Sequence, residues 1–183
     1  MPAEGHTCVM DSLRGQLLIA APALSDFFAR AVVLVIEHNG EGAMGVVLNH
    51  PTEAPVTDVV ERLAGLAEPE DVVHVGGPVS PDSVIALGEF EDPGEAARIL
   101  VGDVGLIDPE APEPDLRALR VYAGYAGWGP GQLDDELEAE AWIVEAARPE
   151  DPFGDGDLWA QALQRKGGAY TLLSTLPADP SLN

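Results

Sequence analysis

The sequence predicts an α+β domain in which helices flank a mainly antiparallel sheet. Three observations point there. Apolar, β-branched runs dominate the first two-thirds of the chain and helices follow later, a segregation unlike regular βαβ repetition. Residues 31–49 read as two strands around the turn NGEG, which makes an antiparallel hairpin. A chain of 183 residues with 46% apolar content is also long enough to bury one core without disulfide or metal.

The elements follow in order. Residues 1–14 read as a loose leader, 15–176 as the single domain and 177–183 as an exposed tail. GQLLIAA (15–21) is a short apolar run that suits a buried strand, interrupted by Pro22. AVVLVIEH (31–38) and AMGVVLN (43–49) are strands on either side of NGEG, where Asn and Gly accept turn dihedrals cheaply. Pro51 closes the second of these. Val56, Val59, Val60 and Leu63 then recur at helical spacing, with Thr57 or Asp58 as the expected cap and Gly65 as the stop.

VVHV (72–75), SVIALGEF (83–90) and ARILVGDVGLI (97–107) are further strands, and the two glycines of the last predict a bulge or bend. DPEAPEPD (108–115) is loop, or loop plus one helical turn. LRALRVYAGYAGW (116–128) reads as a helix end followed by a strand. GQLDDELEAEAW (131–142) reads as a helix with Leu133 and Leu137 inside, its acids placed where the helix dipole favours them. WIVEA (142–146) is an edge strand, Leu158–Lys166 a helix stopped by Gly167 and Gly168, and Tyr170–Leu176 a last helix or turn.

Charge narrows the range of functions. There are 32 acidic against 9 basic residues, a formal net charge of −23, and Lys166 is the only lysine. Such a surface repels phosphate backbones and anionic membranes, so direct nucleic-acid binding and membrane contact are not expected. Cys8 is the single cysteine, which rules out an intramolecular disulfide and a cysteine-based zinc site. The start shows no basic, apolar signal pattern, and the apolar run 31–36 is too short to span a bilayer, so the expected location is the cytoplasm.

Catalytic motifs are missing by inspection. No G-x-S-x-G, P-loop or H-E-x-x-H string occurs, and GWGPG (127–131) fails the dinucleotide-binding spacing. An EF-hand register beginning at Asp151 puts Phe153 and Ala162 at ligand positions, so no metal is expected. No cofactor is assigned, and no residue is assigned a catalytic role.

Of the histidines, His6 lies in the leader and His50 precedes Pro51. His38 is the best placed for a general base, at a strand end beside a turn. Yet alternation turns Glu37 to the other face, and the hairpin register pairs His38 near Ala43 and Asn49 near Val32, roughly 20 Å apart at ~3.3 Å per residue. His74, between Val73 and Val75, is either a core histidine or part of a cleft wall. Three turns carry the candidate ligand pocket. They are Glu37, His38 and Asn39; Gly76, Gly77 and Pro78; and Trp128, Gly129, Gly131 and Gln132. Glycines there let backbone N–H groups face an anion, or serve only as tight joints. At the last turn, Asp134, Asp135 and Glu136 are expected to satisfy the helix end themselves.

With these strings in order, the chain resembles the AlgH/YqgE-type family of bacterial proteins. The resemblance rests on GQLLIAAPAL (15–24), VLVIEHNGEGAMGVVLNHP (33–51), GGPV (76–79) and YAGYAGWGPGQLDDELEAEAW (122–142). The ending LLSTLPADPSLN is similar to the actinobacterial branch. The resemblance implies an α+β fold with a strongly bent sheet, and no reaction or cofactor. Part of the family's name comes from a proposed role in transcriptional regulation, which in so acidic a chain implies action through a protein partner. His50 departs from the family pattern, where Arg or Lys often precedes the proline, and residues 88–118 match poorly. The expected role is a non-catalytic interaction or regulatory module; the alternatives are a small-ligand-binding domain and an enzyme with a histidine base.

Overall fold

A thirteen-residue strand organises the molecule. In the computed structural model, which describes residues 13–175 apart from 23, 25, 109 and 155, the segment Leu116–Trp128 is one extended strand, β9. Residues 1–12 of the leader, with His6 and Cys8, and the tail lie outside the described residues. The strands before β9 are β1 (Gln16–Ala20), β2 (Val32–Asn39), β3 (Gly42–Val47), β4 (Pro51–Pro55), β5 (Val72–Val75), β6 (Val79–Phe90), β7 (Arg98–Val101) and β8 (Val104–Leu106). The last strand is β10 (Trp142–Ala146), and the helices are α1 (Val56–Val59), α2 (Gln132–Glu138), α3 (Leu158–Lys166) and α4 (Ala169–Leu173).

The strands form a ten-stranded sheet in the order β10-β1-β2-β3-β9-β6-β8-β7, with β4 and β5 as a side branch. Along one edge β9 changes partner: residues 121–123 pair with β5 in parallel, and residues 126–128 pair with β3 antiparallel. Gly124 sits at the change with φ +75°, and β6 runs along the other edge. The sheet is therefore bent and mainly antiparallel.

The apolar run of β2 fails to alternate because both of its faces are covered. Val32, Leu34 and Ile36 pack with Trp159 and Leu163 of α3, while Val33 and Val35 pack with Leu133 of α2 and Trp142. Trp159 also donates its indole N–H to the Ala20 carbonyl, fastening α3 to β1. A third cluster joins Val56, Leu63, Val73, Phe90 and Val121 beneath α1. Asn49 closes the β2–β3 hairpin at its open end, accepting from Val32 N–H and donating to the Arg30 carbonyl.

The β10 edge is also closed. Lys166 donates to the Val144 carbonyl at 2.8 Å and Arg165 to the Ala146 carbonyl at 2.9 Å, so cationic side chains occupy acceptors that another strand would need.

Several expected boundaries change. The segment 97–107 is two strands rather than one with a bulge, because Gly102 (φ +55°) turns the chain back on itself. LRALR belongs to β9 and contains no helix; pairing with β6 overrides its helical leucine spacing. The chain after Pro51 is a strand, paired with β5. The helix expected over 56–65 breaks at Val60, is followed by a 3-10 turn at Glu61–Leu63, and starts from Pro55 without the expected Thr57 or Asp58 cap. β6 begins at Val79, upstream of the expected 83.

Candidate functional site

The Gly- and Trp-rich turn is a joint between β9, the β2–β3 hairpin and α2. Ala43 pairs with Trp128, and a Cβ at Gly42 would run into the Trp128 carbonyl, so the hairpin tip lies directly on the end of β9. Asn39 stiffens that tip by accepting the Glu41 N–H. His38 is buried. Its Nδ1 accepts the Leu13 N–H at 3.1 Å, which leaves the proton on Nε2, 3.4 Å from Asp134 Oδ1. Glu37 points elsewhere, to Arg98 at 2.9 Å, and that hydrogen bond holds its carboxyl below the ordinary range.

The first turn of α2 differs from expectation. Gly131 is the N-cap, and no side chain caps the helix from that position. Gln132 instead reaches back to the Gly129 N–H. Glu136 turns inward: Oε1 accepts the indole N–H of both Trp128 and Trp142 at 2.9 Å, and Oε2 accepts from Gln132. Two nearly buried tryptophans are thus fastened by one carboxylate, and their rings meet edge to face 6.0 Å apart.

The turn Gly76–Pro78 lies on the same strand, against its backbone. The Gly76 N–H donates to the Ala123 carbonyl, and the Gly76 carbonyl accepts from Val47. A Cβ at Gly77 would coincide with the Tyr125 carbonyl group and the Ala126 nitrogen. These glycines serve a close backbone approach. The structure thus brings His38, Asn39, Trp128, Gly129 and Gln132 together, sets Gly76 and Gly77 beside the preceding stretch of β9, and turns Glu37 away.

His74 and Arg120 face an open cavity of about 440 Å³, with Tyr122 buried behind them. His74 and Tyr122 are register partners on the parallel strands β5 and β9, and Arg120 lies two residues earlier on the same face as Tyr122. The Arg120 Nη1 is 2.8 Å from His74 Nε2. A guanidinium can only donate, so Nε2 is the acceptor and the imidazole is neutral, with its proton on Nδ1 facing the Val72 carbonyl at 3.3 Å. Burial, and then the Arg120 charge, lower the His74 pKa to about 4. Tyr122 stacks edge-on against His74, and burial pushes its phenol well above the ordinary value. Its hydroxyl has no hydrogen-bond partner among the described residues.

Around the cavity stand Asn49, Glu70, Asp71, Asp151 and Phe153. Asp151 is buried and taken: Arg165 grips both its oxygens at 2.7 and 3.0 Å, and Arg148 N–H binds one of them. Sequence reading missed Arg120 because it stood in a stretch read as a helix end. The available signal was its alternation with Leu119 and Val121, which matches that of His74 with Val73 and Val75.

Comparison with known proteins places the chain. A family model described as AlgH-like matches residues 17–171, and the chain belongs to that family. A UPF0301 protein of Streptomyces coelicolor is 48% identical over 190 residues, covering 95% of this chain and 97% of that protein. One from Nocardia farcinica is 40% identical, covering 92% and 85%. Among solved structures, a crystal structure of a Corynebacterium diphtheriae protein matches with TM-score 0.77 and 32% identity over 88% of this chain and 91% of that one. The solution structure of the AlgH protein from Pseudomonas aeruginosa matches with TM-score 0.68 and 28% identity, covering 91% and 95%. Among the described residues no helix is long and apolar enough to cross a membrane.

Proposed function

We propose that this AlgH-like chain is a non-catalytic interaction or regulatory module of the cytoplasm, acting through protein partners. One observation carries the reading: the net charge of −23 is accompanied by local neutralisation of four of the nine basic residues. Arg30, Arg98, Arg117 and Arg165 each sit in ion pairs with carboxylates. The unpaired excess is therefore acidic, a field that steers basic partner surfaces and opposes nucleic acid and anionic lipid. Any effect on transcription would then run through such a partner.

The test is affinity capture from an actinobacterial lysate, with wild type beside the charge-reversed variant Asp135→Lys/Glu138→Lys on the exposed face of α2. A partner retained at low salt, released at high salt and absent from the variant supports the reading. A captured set unchanged by salt and by charge reversal removes it.

A small-ligand role is the second reading. It has two places: the turns at Glu37–Asn39, Gly76–Pro78 and Trp128–Gln132, and the cavity at His74. The open volume beside Arg120 favours the latter. An enzyme with His38 as base has less support, since both imidazole nitrogens already face internal partners.

A further inference from the structure

We propose that the cavity between β5, β9 and residues Asp151, Phe153 and Gly154 binds a small metabolite through its carboxylate or phosphate group, with Arg120 as the anchor. This deepens the small-ligand reading and rests on it. Four observations lead there.

Arg120 differs from the four arginines that are ion-paired. Those at 30, 98, 117 and 165 have carboxylate partners within 4.0 Å, whereas the hydrogen bond described for Arg120 goes to a neutral imidazole. Among the described residues no carboxylate lies within ion-pair distance of it. In a chain with 32 acids and 9 bases, a guanidinium beside an open cavity whose described partner is a neutral imidazole suits an oxyanion.

The second observation is preorganisation. His74 accepts one N–H through Nε2 and is itself fixed by Val72, so the guanidinium plane is held while its remaining donors stay available. A fork held this way loses little freedom when it grips a planar oxyanion.

The third is the disposition of the neighbouring acids. Asp151 is committed to Arg165 and the Arg148 N–H, and Asp71 accepts the Glu68 N–H. Glu70 is exposed at the mouth. Glu70 and the remaining acceptor capacity of Asp71 suit N–H or O–H donors on the rest of the ligand. The chemical class is thus a small oxyanion that also carries hydrogen-bond donors.

The fourth is size. About 440 Å³ lies within the range of small-molecule sites and suits a metabolite better than a macromolecular surface.

The experiment follows the His74 ring by NMR in the full chain, titrated with inorganic phosphate, with succinate and with glucose. Saturable shifts are expected with phosphate or succinate, and the stronger of the two identifies the source of the oxyanion. Arg120→Gln should weaken binding about tenfold or more. Arg120→Lys, which keeps the charge and loses the fork, should weaken succinate more than phosphate. Arg98→Gln should bind within about twofold of wild type. The assignment is overturned if neither anion shifts His74 saturably at tens of millimolar, or if the Arg120 variants bind like wild type. Saturation by glucose alone would preserve a ligand site and refute its anionic character. The wild-type titration decides the matter even if Arg120→Gln does not fold.

Discussion

Replacing Glu136 tests whether one carboxylate holds the Trp128 joint together. Glu136 Oε1 accepts two indole N–H groups, from Trp128 and Trp142, which are 7% and 5% exposed. Hydrogen bonds to a charged group contribute about 1.5–3 kcal/mol each, and burying an orphaned donor costs a similar amount. Because the two bonds share one oxygen, their sum is less than additive, so Glu136→Ala should destabilise the fold by about 3 kcal/mol. For a chain of this length that is a melting-temperature drop of roughly 6–12 °C. Glu136→Gln keeps a neutral acceptor and should cost only about 1 kcal/mol. Urea denaturation followed by tryptophan fluorescence measures both. The reasoning fails if Glu136→Ala lies within about 0.5 kcal/mol of wild type, or if Gln is as damaging as Ala.

Three other perturbations have definite expected outcomes. His74 is neutral in the folded chain, with a pKa lowered from 6.5 to about 4, so the unfolded chain takes up its proton first; its contribution is full above about pH 6.5 and is lost as pH falls to about 4, amounting to about 3 kcal/mol. Urea titrations across that window should show the difference between wild type and His74→Gln shrinking toward acid. Gly77→Ala has no room beside the Tyr125 backbone and should cost about 3 kcal/mol or more, whereas Gly131→Ala, at φ +75° in open space, should cost about 1–2 kcal/mol in thermal melts. Arg165→Met strands the buried Asp151 carboxylate and should cost about 3–5 kcal/mol, and adding Asp151→Leu should restore most of the lost melting temperature.

The strands were legible where local chemistry and tertiary burial agree. Val32–Ile36 is β-branched and buried on both faces, and Asn39–Gly42 carries turn residues, so the hairpin and its register at the tip, His38 against Ala43, could be read in advance; an irregularity between Val35 and Glu37 then shifts the pairing by one, so that Val33 meets Val47. Gly102–Asp103 turns as sharply with a weaker signature, which merged β7 with β8. Leu116 and Leu119 stand three apart and read as a helix end; only the pairing of β9 with β6 makes them extended. The joint at Trp128 was visible as composition, but its chemistry was not. The acids of α2 looked like helix-end charges, yet Glu136 serves two indoles and Asp134 faces a histidine 96 positions earlier. His74 and Arg120 are 46 residues apart and meet only through a parallel pairing that no local pattern announces.

The closed edge of β10 bears on chemical modification. Lys166 is the only lysine, and its ammonium covers the Val144 carbonyl. Acylation at that amine, whether by a cellular acetyl donor or a laboratory labelling dye, would discharge the one side-chain amine the molecule has. The same reaction would uncover a backbone acceptor on a sheet edge, with Ile143 and Val144 beside it. Self-association of labelled preparations would then report on the blocked amine rather than on any native assembly.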